Sequence, residues 1–171
     1  MDINVKEQEK MGFKGVWKFT KREAVDCKEH GGYGICECGK IKSIQEFDNL
    51  IPTAGRSIIA EALSGGLVAI SDIEINFTSL GTGVTAPANG DTTLETETFR
   101  KAVASSTFSS NQLFITAFYT APEVSGTFAE AGVHINGTAS VDTGTLFSRV
   151  AISITKSVSE TLTIDYTTTL T

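Results

Sequence analysis

The chain has 171 residues, a formal net charge of −6 and a pI near 4.9. That acidity excludes a general binder of nucleic acid or anionic membrane, whose footprint would be basic. The length allows one domain with a full core and no help from disulfides, and sixteen glycines against three prolines suit β structure with glycine turns.

Met1–Gly12 is a charged lead without a regular period. It reads either as a loose terminus or as an arm that orders against a neighbouring subunit. It has no apolar core of the signal-peptide kind, so the expected site of synthesis and folding is a cytoplasm. Residues 13–171 are expected to form a single domain. Phe13–Arg22 alternates, with Phe13, Trp17 and Phe19 on one side and Lys14, Lys18, Thr20 and Arg22 on the other, the pattern of a half-buried strand. Lys40–Phe47 reads as its hairpin partner. Between them, residues 27–39 form a tip that carries Cys27, His30, Cys36 and Cys38.

Pro52–Ser64 is the one convincing helix. Thr53 is placed to cap its N-terminus, and Gly65 or Gly66 to take the left-handed position after its end. Ile58, Ile59, Ala62 and Leu63 form its apolar stripe, while Gly55 weakens the first turn by about 1 kcal/mol relative to alanine. Ile73, Ile75 and Phe77 then alternate with polar neighbours. A long loop follows, interrupted by Gly81, Gly83, Pro87 and Gly90; Gly83–Gly90 reads as an ordered crossover, and Asp91–Glu95 as the start of a short helical turn or of the next strand. Phe99–Phe108 reads as one polar-mixed strand. Asn111–Thr120 is apolar on both faces, with Leu113, Ile115, Ala117 and Tyr119 opposed to Phe114 and Phe118, so Phe114 and Phe118 are expected at a subunit interface. Thr127–Ile135 and Thr145–Thr155 are strands, and the last strand sets Leu162, Ile164, Tyr166 and Leu170 against a threonine face expected to be solvated. The whole predicts a mainly β fold: an antiparallel β-sandwich of about eight strands with one short helix. A jelly roll or a partly open barrel are the alternative closures.

Three chemical features stand out. Cys27-x-x-His30 and Cys36-x-Cys38-Gly39 resemble the halves of a zinc knuckle, and Cys₃His is a complete tetrahedral set, hence structural and not catalytic. The same residues also read as a tip with reduced thiols, or as one disulfide from Cys27 to Cys36 or Cys38 with a thiol left over. Glu95, Glu97, Arg100, Glu130 and Arg149 are charges set among strand residues and are expected to pair and tie the central loop down, with Glu130 the first partner for the arginines. No nucleophile turn accompanies His134, which is expected to be exposed or simply hydrogen-bonded, so the chain is not expected to be an enzyme.

Several motifs occur together and in order: Asn49-Leu50-Ile51, Gly81-Thr82-Gly83, Thr85-Ala86-Pro87, Gly90-Asp91-Thr92, Leu94 through Arg100, Glu130-Ala131-Gly132, and Ser148-Arg149-Val150 through Tyr166. On these residues the chain resembles a group of tailed-bacteriophage virion structural proteins; Cys27–Gly39 departs from their pattern. The resemblance implies a tail- or capsid-associated accessory subunit without catalytic residues. It would be located in the virion and held by other virion subunits and by copies of itself, with no nucleic acid or membrane as partner. A carbohydrate- or receptor-binding module of a phage fibre is the alternative.

Overall fold

The structure, a computed structural model, describes residues 12–67 and 69–171. Of the expected N-terminal arm, all but Gly12 lies outside the described residues. The strands are β1 (Phe13–Glu23), β2 (Asp26–Cys27), β3 (Gly32–Tyr33) and β4 (Ile41–Asp48), then the helix α1 (Thr53–Leu63), then β5 (Ile75–Gly81), β6 (Glu97–Ala102), β7 (Ser105–Ser109), β8 (Gln112–Tyr119), β9 (Gly126–Ile135), β10 (Thr145–Lys156) and β11 (Glu160–Leu170). They form three antiparallel sheets: a five-stranded sheet in the order β4-β1-β11-β8-β7, a four-stranded sheet in the order β10-β9-β5-β6, and the small β2-β3 pair. The chain is thus an antiparallel β-sandwich with one short helix.

Its core is the set of side chains that the two large sheets turn towards each other. The five-stranded sheet supplies Trp17 and Phe19 from β1, Ile115, Ala117 and Tyr119 from β8, and Leu162, Ile164 and Tyr166 from β11; the other supplies Leu80, Phe128, Val133, Phe147, Val150 and Ile154. Burying a Leu, Ile, Val or Phe side chain in this layer contributes about 1.5–3 kcal/mol. Polar tips inside this layer are partnered: Tyr119 Oη meets Thr78 Oγ1 at 2.7 Å, and the Asn49 amide donates to Ser148 Oγ and Tyr166 Oη at 2.6 and 3.2 Å. Outside the ladder of β1 and β11, Gly12 and Thr171 exchange two backbone hydrogen bonds of 2.6 and 2.9 Å.

Several local expectations are corrected. The helix is preceded by Pro52 at its N-cap, with no side-chain cap; the Thr53 amide donates instead to the Asn89 carbonyl at 2.9 Å. Gly65 takes the left-handed position at its end, and the Gly65 and Gly66 amides reach back to Ala62 and Glu61. Gly55 is buried against Phe147, whose carbonyl oxygen would stand 2.5 Å from an added Cβ. The expected strand Phe99–Phe108 is two strands that belong to different sheets, with Val103 and Ala104 as the corner. The alternation expected from Ile73 breaks at a bulge between Ile75 and Phe77, so Ile75 enters the core while Phe77 lies under the Arg100 guanidinium on the other side. The threonine face of β11 is not uniformly solvated, since Thr161 and Thr163 are buried.

Candidate metal centre

The tip departs from β1 at Glu23 and returns at Lys40, whose carbonyl accepts the Glu23 amide at 2.9 Å. The two-residue strands β2 and β3 pair Cys27 with Gly32, and the turn between them folds His30 and Gly31 back so that both amides donate to the Cys27 carbonyl. Gly31 has φ of 78° and Gly34 φ of 66°, conformations that favour glycine. The second reversal, at Gly34, brings Cys36 and Cys38 onto the Cys27–His30 turn.

The four donor atoms converge. Cys27 Sγ lies 3.1 Å from His30 Nδ1 and 3.5 Å from Cys38 Sγ, and Cys38 Sγ lies 3.6 Å from His30 Nδ1. With Cys36 Sγ all four fall within 4.8 Å of one another, so the cluster can hold a metal ion. A tetrahedral ion with M–S near 2.3 Å and M–N near 2.0–2.1 Å has edges of about 3.5–3.8 Å, close to the spacings present. All three cysteines are free thiols, and no disulfide links Cys27 to Cys36 or Cys38. The donors already share protons. Hydrogen bonds from the His30 ring and the Cys38 thiol draw Cys27 down to about 6, Cys27 in turn raises His30, and Cys36 and Cys27 together push Cys38 up to about 12. A bound cation would take the place of these shared protons.

The tip is fastened to the sandwich. The Ala121 amide donates to the Gly34 carbonyl at 2.9 Å, and a Cβ on Gly34 would stand 2.3 Å from that of Ala121. The Glu37 carboxylate accepts the Thr163 hydroxyl, which accounts for the covered threonine on β11. Arg22 donates to the Gly39 carbonyl at 3.3 Å.

The second polar assembly lies under the loop between β5 and β6, which runs across the outer face of the four-stranded sheet. Leu94 is buried, and it limits the space beside Gly132 on β9. Glu130, also on β9, accepts the amides of Gly83, Glu95 and Thr96 at 3.0, 3.0 and 2.7 Å, together with Arg149 Nε at 3.0 Å. Arg149 continues to Asp91 at 2.6 Å and to the Thr85 carbonyl at 3.1 Å. Glu95 accepts the Thr85 amide and hydroxyl, which lower its pKa, and pairs with no arginine. Arg100 takes Glu97, not Glu130: Nε and Nη2 reach the two carboxylate oxygens at 2.5 and 2.7 Å, and Nη1 donates to the Thr138 and Thr143 carbonyls. In a regular strand Glu97 and Arg100 would face apart. The β-bulge that sets Leu80 opposite Phe99 but Gly81 opposite Glu97 turns them to one side.

His134 is buried and bonds Ser79 Oγ through Nε2 at 2.7 Å, because the loop covers its strand on the face expected to be open. The Ser79 hydroxyl is as deeply buried, so this pair is an interior contact. Phe114 and Phe118 point to the outer face of the five-stranded sheet, half-buried, with Thr167 and Thr107 flanking Phe114 and Thr163 beside Phe118. Helix α1 sits at the mouth between the sheets, on Phe147, and so does not cover that outer face. Sequence reasoning missed Glu37, whose partner lies 126 residues away, and Lys156, a buried ammonium that donates to the Ala121 and Val124 carbonyls at 3.0 and 2.8 Å. Its signal was present in β10, where Lys156 continues the inward phase of Ile152 and Ile154.

No protein-family model, curated protein or solved structure matches the chain. Among the described residues, no helix is long and apolar enough to cross a membrane.

Proposed function

We propose that this chain is a non-enzymatic structural subunit of a tailed-phage virion, which stabilises or decorates the capsid or the tail through subunit contacts, and that Cys27, His30, Cys36 and Cys38 hold one structural zinc ion. The observation that carries the reading is the buried network under the central loop. The motifs that resemble virion proteins, from Gly81 and Gly83 through Thr85, Asp91 and Glu95–Arg100 to Glu130 and Arg149, converge on it. Its charges are engaged in holding backbone amides and one another, which suits a rigid building block. Zinc suits three thiolates and one imidazole at tetrahedral spacing, and four protein donors leave no open position for a substrate.

Two measurements test this. Peptide mass spectrometry and a density map of purified particles should find the chain on the capsid or tail; its absence from particles made in cells that express it would overturn the virion reading. Metal analysis of protein purified with zinc should give one equivalent per chain, lost in Cys36→Ser. Zinc-free wild-type protein, or zinc retained by that variant, would overturn the metal assignment.

A further inference from the structure

The two large sheets have four edges, and three of them are guarded. The edge strand β4 carries Lys42, Glu46 and Asp48. The edge strand β6 carries Lys101 and the Glu97–Arg100 pair, which binds the backbone at Thr138, Thr143 and Asp142. The edge of β10 is bridged by Leu50 opposite Arg149 and backed by α1 at Phe147. Charges and covering chain are the usual means by which a sheet edge is kept from pairing with another chain.

The fourth edge, β7, has neither among the described residues. It reads Ser105-Ser106-Thr107-Phe108-Ser109, with no charge and no proline, all five residues exposed, and β8 as its one neighbour among the described residues. Its outward backbone amides and carbonyls form a template for another strand. Phe108, at 82 %, is as exposed as any large apolar residue described. Phe108 and Ser106 stand opposite Leu113 and Ile115 and so share the inward phase of the sheet. Beside them opens an apolar cleft of about 370 Å³ between the sheets and α1, lined by Ser106 and Leu113 together with Phe13, Ile58, Ile59 and Leu170.

We propose that β7 is the seam along which two copies of this chain pair, antiparallel about a two-fold axis at Thr107. The register follows from the strand itself, since Thr107 is its middle residue. Thr107 then meets Thr107, and Ser106 of each copy meets Phe108 of the other. Opposed side chains in an antiparallel pair stand about 4.5–5.5 Å apart at Cβ, so Phe108 of one copy lies against the rim of the other's cleft. The interface is isologous and closes as a dimer, and the joined sheets run as one. The backbone edge, the exposed phenyl ring and the apolar cleft are thus met by a single partner, a second copy. The pairing deepens the subunit reading and rests on it for its setting in a particle.

Sedimentation equilibrium of the purified chain from about 1 to about 100 μM tests the seam. Wild type is expected to form a dimer. Thr107→Lys sets like charges face to face, and Phe108→Ala removes the ring from a site where it has no role in its own fold; each should weaken the dimer at least about tenfold, or roughly 1.4 kcal/mol. Mixing Thr107→Lys with Thr107→Glu should restore a heterodimer, whereas Gln45→Lys on β4 should leave the wild-type dimer unchanged. A monomer throughout the range, or a dimer indifferent to both Thr107→Lys and Phe108→Ala with unchanged far-UV circular dichroism, overturns the proposal. A chain monomeric in solution yet present in particles overturns the seam alone; a β7-paired dimer absent from particles overturns the virion reading alone.

Discussion

At the scale of single residues, Glu130 and His134 show how much a side chain is worth once a loop has closed over it. Glu130, itself buried, accepts three loop amides and Arg149; the bonds from Gly83 and Arg149 are buried and those from Glu95 and Thr96 partly so. Glu130→Ala would leave three loop amides without their acceptor and the buried Arg149 guanidinium with only Asp91 and the Thr85 carbonyl; removing one partner of a buried pair costs up to about 3–5 kcal/mol, and chemical denaturation should read a loss approaching that size. His134 is held down to about 4 by burial first and by the Arg100 charge second, with Glu97 opposing, against an ordinary value of 6.5. Its neutral form is the one the fold accepts. Below pH 6.5 the unfolded chain takes up a proton that the folded chain refuses, so the contribution of His134 to stability falls as pH drops from about 6.5 to about 4, and its full loss is reached below that. At about 1.4 kcal/mol per tenfold in proton affinity, the full loss is roughly 3 kcal/mol. Denaturant midpoints across that window should show the slope in wild type and a flatter profile in His134→Gln. Equal slopes would assign the pH dependence to other groups.

At the scale of elements, the helix reverses a rule drawn from propensity. Alanine is the better helix former by about 1 kcal/mol, yet Gly55→Ala would put a methyl carbon 2.5 Å from the Phe147 carbonyl oxygen and 2.8 Å from its Cα. The melting temperature should therefore fall in Gly55→Ala; a rise would mean that the helix is free to lift from β10. The same comparison shows what was legible in the sequence. Strands with one wet face, such as β1, announced themselves by period 2. The metal cluster was legible because its four residues fall within twelve positions and need no long-range contact. β9 was legible as a strand over Thr127–Ile135, but the burial of its outer face was not, because the face holding His134 is dried by a loop from elsewhere in the chain. The corner at Val103 and Ala104 was also hidden: neither residue is a turn former, and what bends the chain there is the pairing of β6 with β5 and of β7 with β8. The partner of Arg100 was hidden by a bulge that local alternation does not encode.

At the scale of the whole molecule, the tip and the sandwich are expected to come apart in stability. Gly34, Glu37 and Gly39 attach the tip to Ala121, Thr163 and Arg22, but the sandwich core contains no part of it. Zinc loaded into the cluster and then stripped by a chelator should lower protection against proteolysis within residues 27–39 while the cooperative transition of the two sheets persists. Collapse of the whole β spectrum on chelation would show instead that the ion organises the fold.

The paired backbone of Gly12 and Thr171 bears on how the chain can be rearranged. Two hydrogen bonds hold these residues side by side at the same end of adjacent strands. A short peptide would therefore splice residue 171 to residue 12, and the chain could be reopened at the turn beyond helix α1 to give a circular permutant with every strand pairing kept. By the same geometry, the sandwich could be grafted into a surface loop of a host protein, its two ends leaving together through one narrow gap.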